Sequence, residues 1–339
     1  MINRKAYLNK EHHFAVRSEE MPAVNDNEVL VHIMVNGICG SDVHFFKEGR
    51  LGNYVVDEPY VPGHECSGII EQVGKNVANV AVGDHVVIEP GMPCGHCPLC
   101  RSGRYNQCPQ VIFLSVPGIN GTFCDYIAVR SDAVHRMPSG MSFKAAALAE
   151  PAAVGIHAVN RCGNVTGKTG VIFGAGPIGL MTAQAFKAAG GAKTCLLDIN
   201  QNRLKMAGSF QIDELIDLTR VSADDLSDLG ECVFETAGSP AATKMLFAAA
   251  RSAGSVVQVG WPAGNIVDLD IALFIEKELD YKSVNRYANT FPTAIQYLAD
   301  GRIKADQMIT KEYAFGEIEE AFHYTASHPD ETIKTIVVQ

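Results

Sequence analysis

The sequence predicts an α/β protein: a β-rich N-terminal part followed by a doubly wound parallel sheet. Three observations carry that expectation. Short buried strand patterns alternate with helical patterns from about residue 153. A glycine fingerprint, Gly174-Ala175-Gly176-Pro177-Ile178-Gly179, lies directly behind one of those strands. Four cysteines crowd into one loop of the earlier part.

At 339 residues the chain is long enough for two domains with substantial cores. In the first part, residues 28–35 and 83–88 read as strands bounded by turn residues. Beyond residue 153, the segment 171–173 is a short buried strand followed by a helix through Ala183, Ala185 and Ala188. Residues 195–198 form the next strand, residues 203–206 lie in a helix, and strands recur at 232–235, 255–259 and 281–284. The alternation stops after about residue 287, and the segment 333–338 reads as a strand returning to the first domain. The expected division is therefore 1–152 completed by 288–339, with 153–287 as the second domain.

Composition narrows the class. Hydrophobic residues at 47% and charged residues at 19% are those of an ordinary globular protein, and no apolar run is long enough to span a membrane. The polar start Met1-Ile2-Asn3-Arg4-Lys5 is not a secretory signal. A net charge of −10 argues against nucleic acid, whose phosphates would be repelled. Of ten cysteines, four share one loop and the rest are scattered singly, which reads as a reducing, cytoplasmic setting with metal chemistry.

That loop is Cys94-Gly95-His96-Cys97-Pro98-Leu99-Cys100, closed by Cys108. Four thiols at this spacing fit one tetrahedral Zn²⁺ and leave no open position, so the zinc is expected to be structural. Disulfides and an iron–sulfur cluster are the alternatives; ferredoxins share the spacing but place a Cys-Pro close behind and carry a second set of cysteines. His96 reads as a bystander, since four thiolates already fill the site.

The glycine fingerprint has a mechanical meaning for each part. Gly174 permits a tight turn, Gly176 lets backbone approach a pyrophosphate, Pro177 and Ile178 open the helix, and Gly179 lets that helix pack on the sheet. The helix N-terminus offers free N–H groups to phosphate. Asp198, ending the next strand, is expected to accept the adenosine ribose hydroxyls and to repel a 2′-phosphate, favouring NAD over NADP. Arg203 either flanks the adenine or serves such a phosphate.

Three further places carry metal-competent groups: Cys39 in Gly37-Ile38-Cys39-Gly40-Ser41-Asp42-Val43-His44, the pair His64-Glu65, and Glu150 in Ala149-Glu150-Pro151. Spacing alone does not bring them together. Taken in order with the cysteine loop and the fingerprint, however, the set resembles the zinc-dependent medium-chain dehydrogenases over essentially the whole chain, and most of all the sorbitol (polyol) dehydrogenases. The resemblance implies a GroES-like, barrel-like catalytic domain around a Rossmann domain. It implies a catalytic zinc held by Cys39, His64 and Glu65, with Glu150 as a further ligand or as partner of the zinc-bound water. It assigns Val259 to cofactor binding and Phe113, Glu150, Arg286 and Tyr287 to the substrate, with Arg286 contacting a hydroxyl or pairing with Glu150. Phe45 replaces a hydroxylated aromatic of several relatives, and Val116 stands where relatives carry threonine.

The chemistry expected is oxidation of a polyol hydroxyl to a ketone with hydride transfer to NAD, using one catalytic and one structural zinc per subunit. Ser41 and His44 lie in a suitable order to pass the alcohol proton outward, and Asp42 to orient a ligand. Within the family, a threonine or aldonate dehydrogenase is the rival reading; outside it, a non-catalytic NADH-binding protein, which would be expected to have lost these ligands. Partners are a small polyol and further copies of the chain, as a homotetramer or homodimer through the Rossmann sheet edge.

Overall fold

The computed structural model describes residues 2–222 and 224–339, and the chain divides into two compact units. The first comprises the residues up to Glu150 together with Met308–Gln339; the second is Pro151–Gln307. No helix among the described residues is long and apolar enough to cross a membrane.

The first unit is built around strand Glu28–Gly37, which has sheet partners on both sides and is buried along most of its length. On one side it pairs antiparallel with Glu65–Val73, which pairs in turn with His85–Ile88 and then Val134–Arg136. On the other side it meets Tyr126–Arg130 and the C-terminal strand Lys334–Val338, beyond which Ile309–Ala314 runs parallel to that last strand. One face buries Val29, Val31, Ile33, Ile70, Val86 and Ile88. A second cluster gathers Phe45, Phe46, Tyr60, Phe123, Phe315 and Phe322.

Register decides what this sheet brings together. Gly37 pairs with Glu65 on one side and with Ile336 on the other. A β-carbon on Gly37 would stand 2.2 Å from Glu65 Oε2, so the glycine makes room for the carboxylate against the backbone. Lys334 enters from the C-terminal strand and donates through Nζ to both carboxylate oxygens, at 2.8 and 2.7 Å, and to the Ile38 carbonyl at 3.1 Å. Lys334 is 3% exposed and Glu65 1%. Burial works to lower the lysine pKa, but the charge and hydrogen bonds of Glu65, with the charges of Cys39 and Glu150, together outweigh it and the net shift is upward.

The second unit is a six-stranded parallel sheet in the order Glu214–Asp217, Lys193–Asp198, Thr169–Phe173, Gly230–Glu235, Ala250–Gln258, Asp280–Ser283. Numbered along the chain this is 3-2-1-4-5-6, the Rossmann order. The strands read as apolar runs because helices such as Pro177–Ala188 and Pro240–Ala249 pack against the sheet. Phe173, Leu197, Val233, Leu246, Phe247 and Val256 fill one side of its core.

The chain returns to the first unit at Met308, not at residue 288 as the end of the alternation suggests. Helix Phe291–Ala299 buries Phe291, Ala294, Ile295 and Leu298, and the segment after it donates Lys304 N to Gln184 Oε1 at 2.8 Å, which ties 288–307 to the second unit. A strand-based reading has no means of assigning that helix.

Breaking a buried ion pair on one side leaves an uncompensated charge, at a cost of about 3–5 kcal/mol. Lys334→Met should therefore lower the urea midpoint of the chelator-treated protein by a corresponding amount, and added Zn²⁺ should restore part of it by supplying positive charge beside Glu65. Equal midpoints for chelated wild-type and variant protein would remove the pair from this account.

Candidate metal centres and dinucleotide site

Helix Pro98–Arg101 and the turns on either side of it bring Cys94, Cys97, Cys100 and Cys108 together. Their sulfurs all lie within 4.8 Å of one another, with Cys97 and Cys100 at 3.4 Å and Cys94 and Cys100 at 3.9 Å. Tetrahedral ligands ~2.3 Å from zinc are about 3.8 Å apart, so the donor set and its spacing fit the ion. Backbone N–H groups already point at sulfur: Cys94 N and Gln110 N toward Cys108, and Cys100 N toward Cys97, each at 3.4 Å. The His96 backbone N–H brings the Cys94 thiol down to about 6, toward the thiolate that metal binding requires. His96 is exposed and turns its Nδ1 to the Cys94 carbonyl at 2.9 Å, away from the sulfurs.

The second cluster joins Cys39, His64 and Glu65, whose ligand atoms also lie within 4.8 Å of one another. Each arrives on a different local device. Cys39 caps helix Gly40–Glu48, where Asp42 at the third helical position accepts its N–H at 3.2 Å. His64 follows Gly63, which takes a left-handed φ of 96° before strand Glu65–Val73 begins. One sulfur, one imidazole nitrogen and one carboxylate form a zinc-type set that leaves a coordination position open.

Asp42 stands behind this cluster, fully buried. Its Oδ1 accepts the Ser115 hydroxyl at 2.7 Å and lies 3.6 Å from His64 Nδ1. Ser115 accepts the Gly63 N–H at 2.7 Å, so the turn that presents His64 is pinned to the same carboxylate. Burial opposes a charged His64, yet Asp42 and Cys39 hold its pKa well above the usual range. Burial likewise opposes the Asp42 charge, and His64 carries its pKa below the ordinary value. The Phe113 ring lies 5.7 Å from the His64 ring.

Glu150 is not part of that three-residue group. It is buried in the first turn of helix Ala149–Cys162, and its charge contributes to raising the pKa of Lys334. Ser41 is half-buried and His44 exposed, with His44 Nδ1 3.3 Å from Glu48. Phe45, which replaces a hydroxylated aromatic of several relatives, sits in the core at 3% exposure, edge-on to Tyr60 at 6.0 Å. In the second unit, Arg286 has a left-handed φ of 59°, and Tyr287 is buried with its ring 5.3 Å from Phe291.

At the fingerprint, Gly174 has φ 105°, and a β-carbon on Gly179 would stand 1.8 Å from the Gly174 carbonyl oxygen. Gly176 caps helix Pro177–Ala188, and nothing lies within 4 Å of where its β-carbon would be, so the helix N-terminus is approachable. That cradle fits a pyrophosphate. Asp198 serves the turn: Oδ2 accepts Ala175 N at 2.7 Å and Oδ1 accepts Asn200 N at 2.8 Å. Arg203 is half-buried in helix Gln201–Ala207, and Val259 donates its N–H to the Glu235 carbonyl at 2.9 Å.

Sequence reasoning missed Lys334 and Ser115. The signal for Lys334 was a cation inside the apolar run 333–338; Ser115 offered none, since its partners lie 52 and 73 residues away.

Two family models match the chain: Alcohol dehydrogenase GroES-like domain over residues 25–139, and Zinc-binding dehydrogenase over residues 177–300. Sorbitol dehydrogenase of Bacillus subtilis is 37% identical over 340 residues, covering 98% of this chain and 96% of its own. D-xylulose reductase of Saccharomyces cerevisiae is 35% identical over 329 residues, covering 94% and 92%. The crystal structure of L-idonate 5-dehydrogenase from Escherichia coli superposes with a TM-score of 0.94 at 29% identity, covering 100% of this chain and 99% of that one. With its two unlike metal-competent clusters and its Rossmann fingerprint, the chain belongs to the zinc-dependent alcohol dehydrogenase family, with a GroES-like first domain and a zinc-binding-dehydrogenase second domain.

Proposed function

We propose that this protein is a zinc- and NAD-dependent polyol dehydrogenase, oxidising a secondary hydroxyl of a sugar alcohol to the ketose. The observation that carries the reading is the cluster of Cys39, His64 and Glu65 backed by Asp42, in a chain that also holds a dinucleotide turn with an acidic residue at the next strand end. Near full-length likeness to sorbitol dehydrogenases and D-xylulose reductases supports the substrate class. Likeness to L-idonate 5-dehydrogenases keeps a sugar acid as the second reading.

When bound, zinc supplies the Lewis acidity that favours the alkoxide of the substrate, and NAD accepts the hydride, giving a ketone, NADH and one proton. Cys39, His64 and Glu65 would hold the catalytic ion, and Asp42, through Ser115, pins the turn that presents His64. Glu150, buried but outside the three-residue group, suits the role of a partner to a bound water better than that of a fourth ligand. Phe113, beside His64, would form an apolar wall of the substrate site, with Arg286 and Tyr287 contributing hydroxyl contacts. Cys94, Cys97, Cys100 and Cys108 would hold the second, structural zinc. Ser41 Oγ would accept the alcohol proton as it donates its own onward, and the exposed imidazole of His44 would pass it to water. We further propose a cytoplasmic homotetramer or homodimer: edge strand Asp280–Ser283 has an open side, and Tyr281, Ile271 and Ile275 are exposed.

The purified protein should reduce NAD with sorbitol, xylitol or L-iditol, more slowly with galactitol, and not with threonine. Strong activity with L-idonate alone would select the second reading. NAD should be preferred over NADP, and Asp198→Ala should narrow that preference by removing the negative charge that faces a 2′-phosphate; an unmodified protein indifferent between the two cofactors would refute the role of Asp198. At unchanged zinc content, His44→Gln should slow oxidation by up to ~10²-fold, most at low pH, with partial recovery in imidazole. Wild-type rates across pH would leave His44 with its surface pairing to Glu48 only. Sedimentation should give two or four chains per particle, and a monomer at micromolar concentration would exclude the edge-strand assembly.

A further inference from the structure

One fully buried carboxylate has no part in the chemistry above. Glu235 ends strand Gly230–Glu235 at 0% exposure, and the partners of its oxygens are neutral donors. Oε1 accepts the N–H of Ala237 at 3.0 Å and of Ser239 at 3.2 Å; Oε2 accepts Gly238 N at 3.1 Å and Gln258 Nε2 at 2.9 Å. Its own carbonyl accepts Val259 N and Gly260 N, both at 2.9 Å. Burial pushes its pKa up, while the N–H groups of Ser239, Gly238 and Ala237 work to hold it down. An anion placed this deep is costly unless its bonds are made, and here three of the four are spent on one turn, residues 236–239, and the fourth on Gln258.

The place of that turn is what matters. In the sheet order, Thr169–Phe173 and Gly230–Glu235 are adjacent, with Phe173 opposite Glu235. They are strands 1 and 4 of the 3-2-1-4-5-6 order, so the crevice between their carboxyl ends is the topological switch point, where open α/β sheets bind ligands. One wall of the crevice is the glycine fingerprint and the other is the turn held by Glu235. The two walls touch. Thr236 Oγ1 donates to the Phe173 carbonyl at 2.8 Å and the Gly174 carbonyl at 3.2 Å. A β-carbon on Gly174 would meet Ala237 N at 2.9 Å, and one on Gly179 would meet Thr236 Oγ1 at 2.8 Å. The packing continues beneath: a β-carbon on Gly260 would stand 2.2 Å from Gly238 N and 2.5 Å from Glu235 Oε2. Gln258 in turn accepts the Tyr281 hydroxyl at 3.2 Å, so the turn is braced to the edge strand.

We propose that Glu235, supported by Gln258, is a positioning residue for the dinucleotide, its carboxylate fixing the turn 236–239 as the second wall of the cofactor crevice. The proposal rests on the reading that NAD binds at the fingerprint. Replacing one carboxylate oxygen by an amide NH2 turns a hydrogen-bond donor toward N–H groups that need an acceptor, so the turn must shift. Because the turn packs on Gly174 and Gly179, the shift reaches the phosphate-binding wall.

The test is NADH titration by fluorescence together with steady-state kinetics on the zinc-loaded protein, for wild type, Glu235→Gln and Gln258→Met. Glu235→Gln should raise the NADH dissociation constant and KM for NAD by about tenfold or more, a larger factor than the fall in kcat, with KM for the polyol and zinc content unchanged. Gln258→Met removes one donor of four and should move the same quantities in the same direction by a smaller factor. A folded Glu235→Gln protein with wild-type NADH affinity would overturn the proposal, as would an equal loss in kcat and in KM for both substrates. Should that variant fail to fold, unchanged NADH affinity in Gln258→Met would overturn it instead. Failure of wild-type protein to bind NADH would sink the dinucleotide reading and, with it, the inference.

Discussion

A buried lysine from the last strand holds the first unit's open metal cluster in shape. Lys334 and Glu65 are 269 residues apart in sequence, yet the ammonium sits on both carboxylate oxygens and on the carbonyl just before Cys39. Such a pair adds little net stability, because removing both charges from water costs about what their attraction returns. Its effect is on geometry. The carboxylate that lies over Gly37 cannot turn away without leaving a buried cation, and Ile38 cannot move without losing a bond to the same group. Cys39, His64 and Glu65 are thereby kept within reach of one ion.

The two metal-competent clusters use contrasting chemistry for contrasting purposes. The lobe is four thiols from one short stretch, closed by local loop geometry and by N–H groups aimed at sulfur. It needs little from the rest of the fold. The second cluster draws sulfur from one segment and nitrogen and oxygen from another, and each side chain has a support behind it: Asp42 and Ser115 for the turn carrying His64, the helix cap for Cys39, Lys334 for Glu65. A mixed set of three leaves room for substrate, which a set of four thiolates does not.

The second unit solves a different problem, which is to bring backbone close to a polyphosphate. Gly176 leaves that approach open, Gly174 and Gly179 let the turn and the helix close up behind it, and Asp198 holds the fingerprint turn through Ala175. Opposite them the N–H groups of the turn after Glu235 are satisfied by that carboxylate, and the turn packs directly on the fingerprint.

What was legible from the sequence alone had local causes. The strand–helix alternation, the fingerprint with its following acid and the four-cysteine loop are each written within a few tens of residues, and the structure forms each where its pattern stands. The convergence of Cys39, His64 and Glu65 was reached only by resemblance, since no spacing rule joins segments whose neighbourhood depends on strand register. Tertiary structure alone decided that Lys334 lies on Glu65, that Ser115 pins the His64 turn, that Phe45 belongs to the core, and that 288–307 packs with the second unit. The physical reason is common to all four: a buried side chain's partner is set by which strands pair and in what register, and register is a property of the whole sheet rather than of any window of the chain.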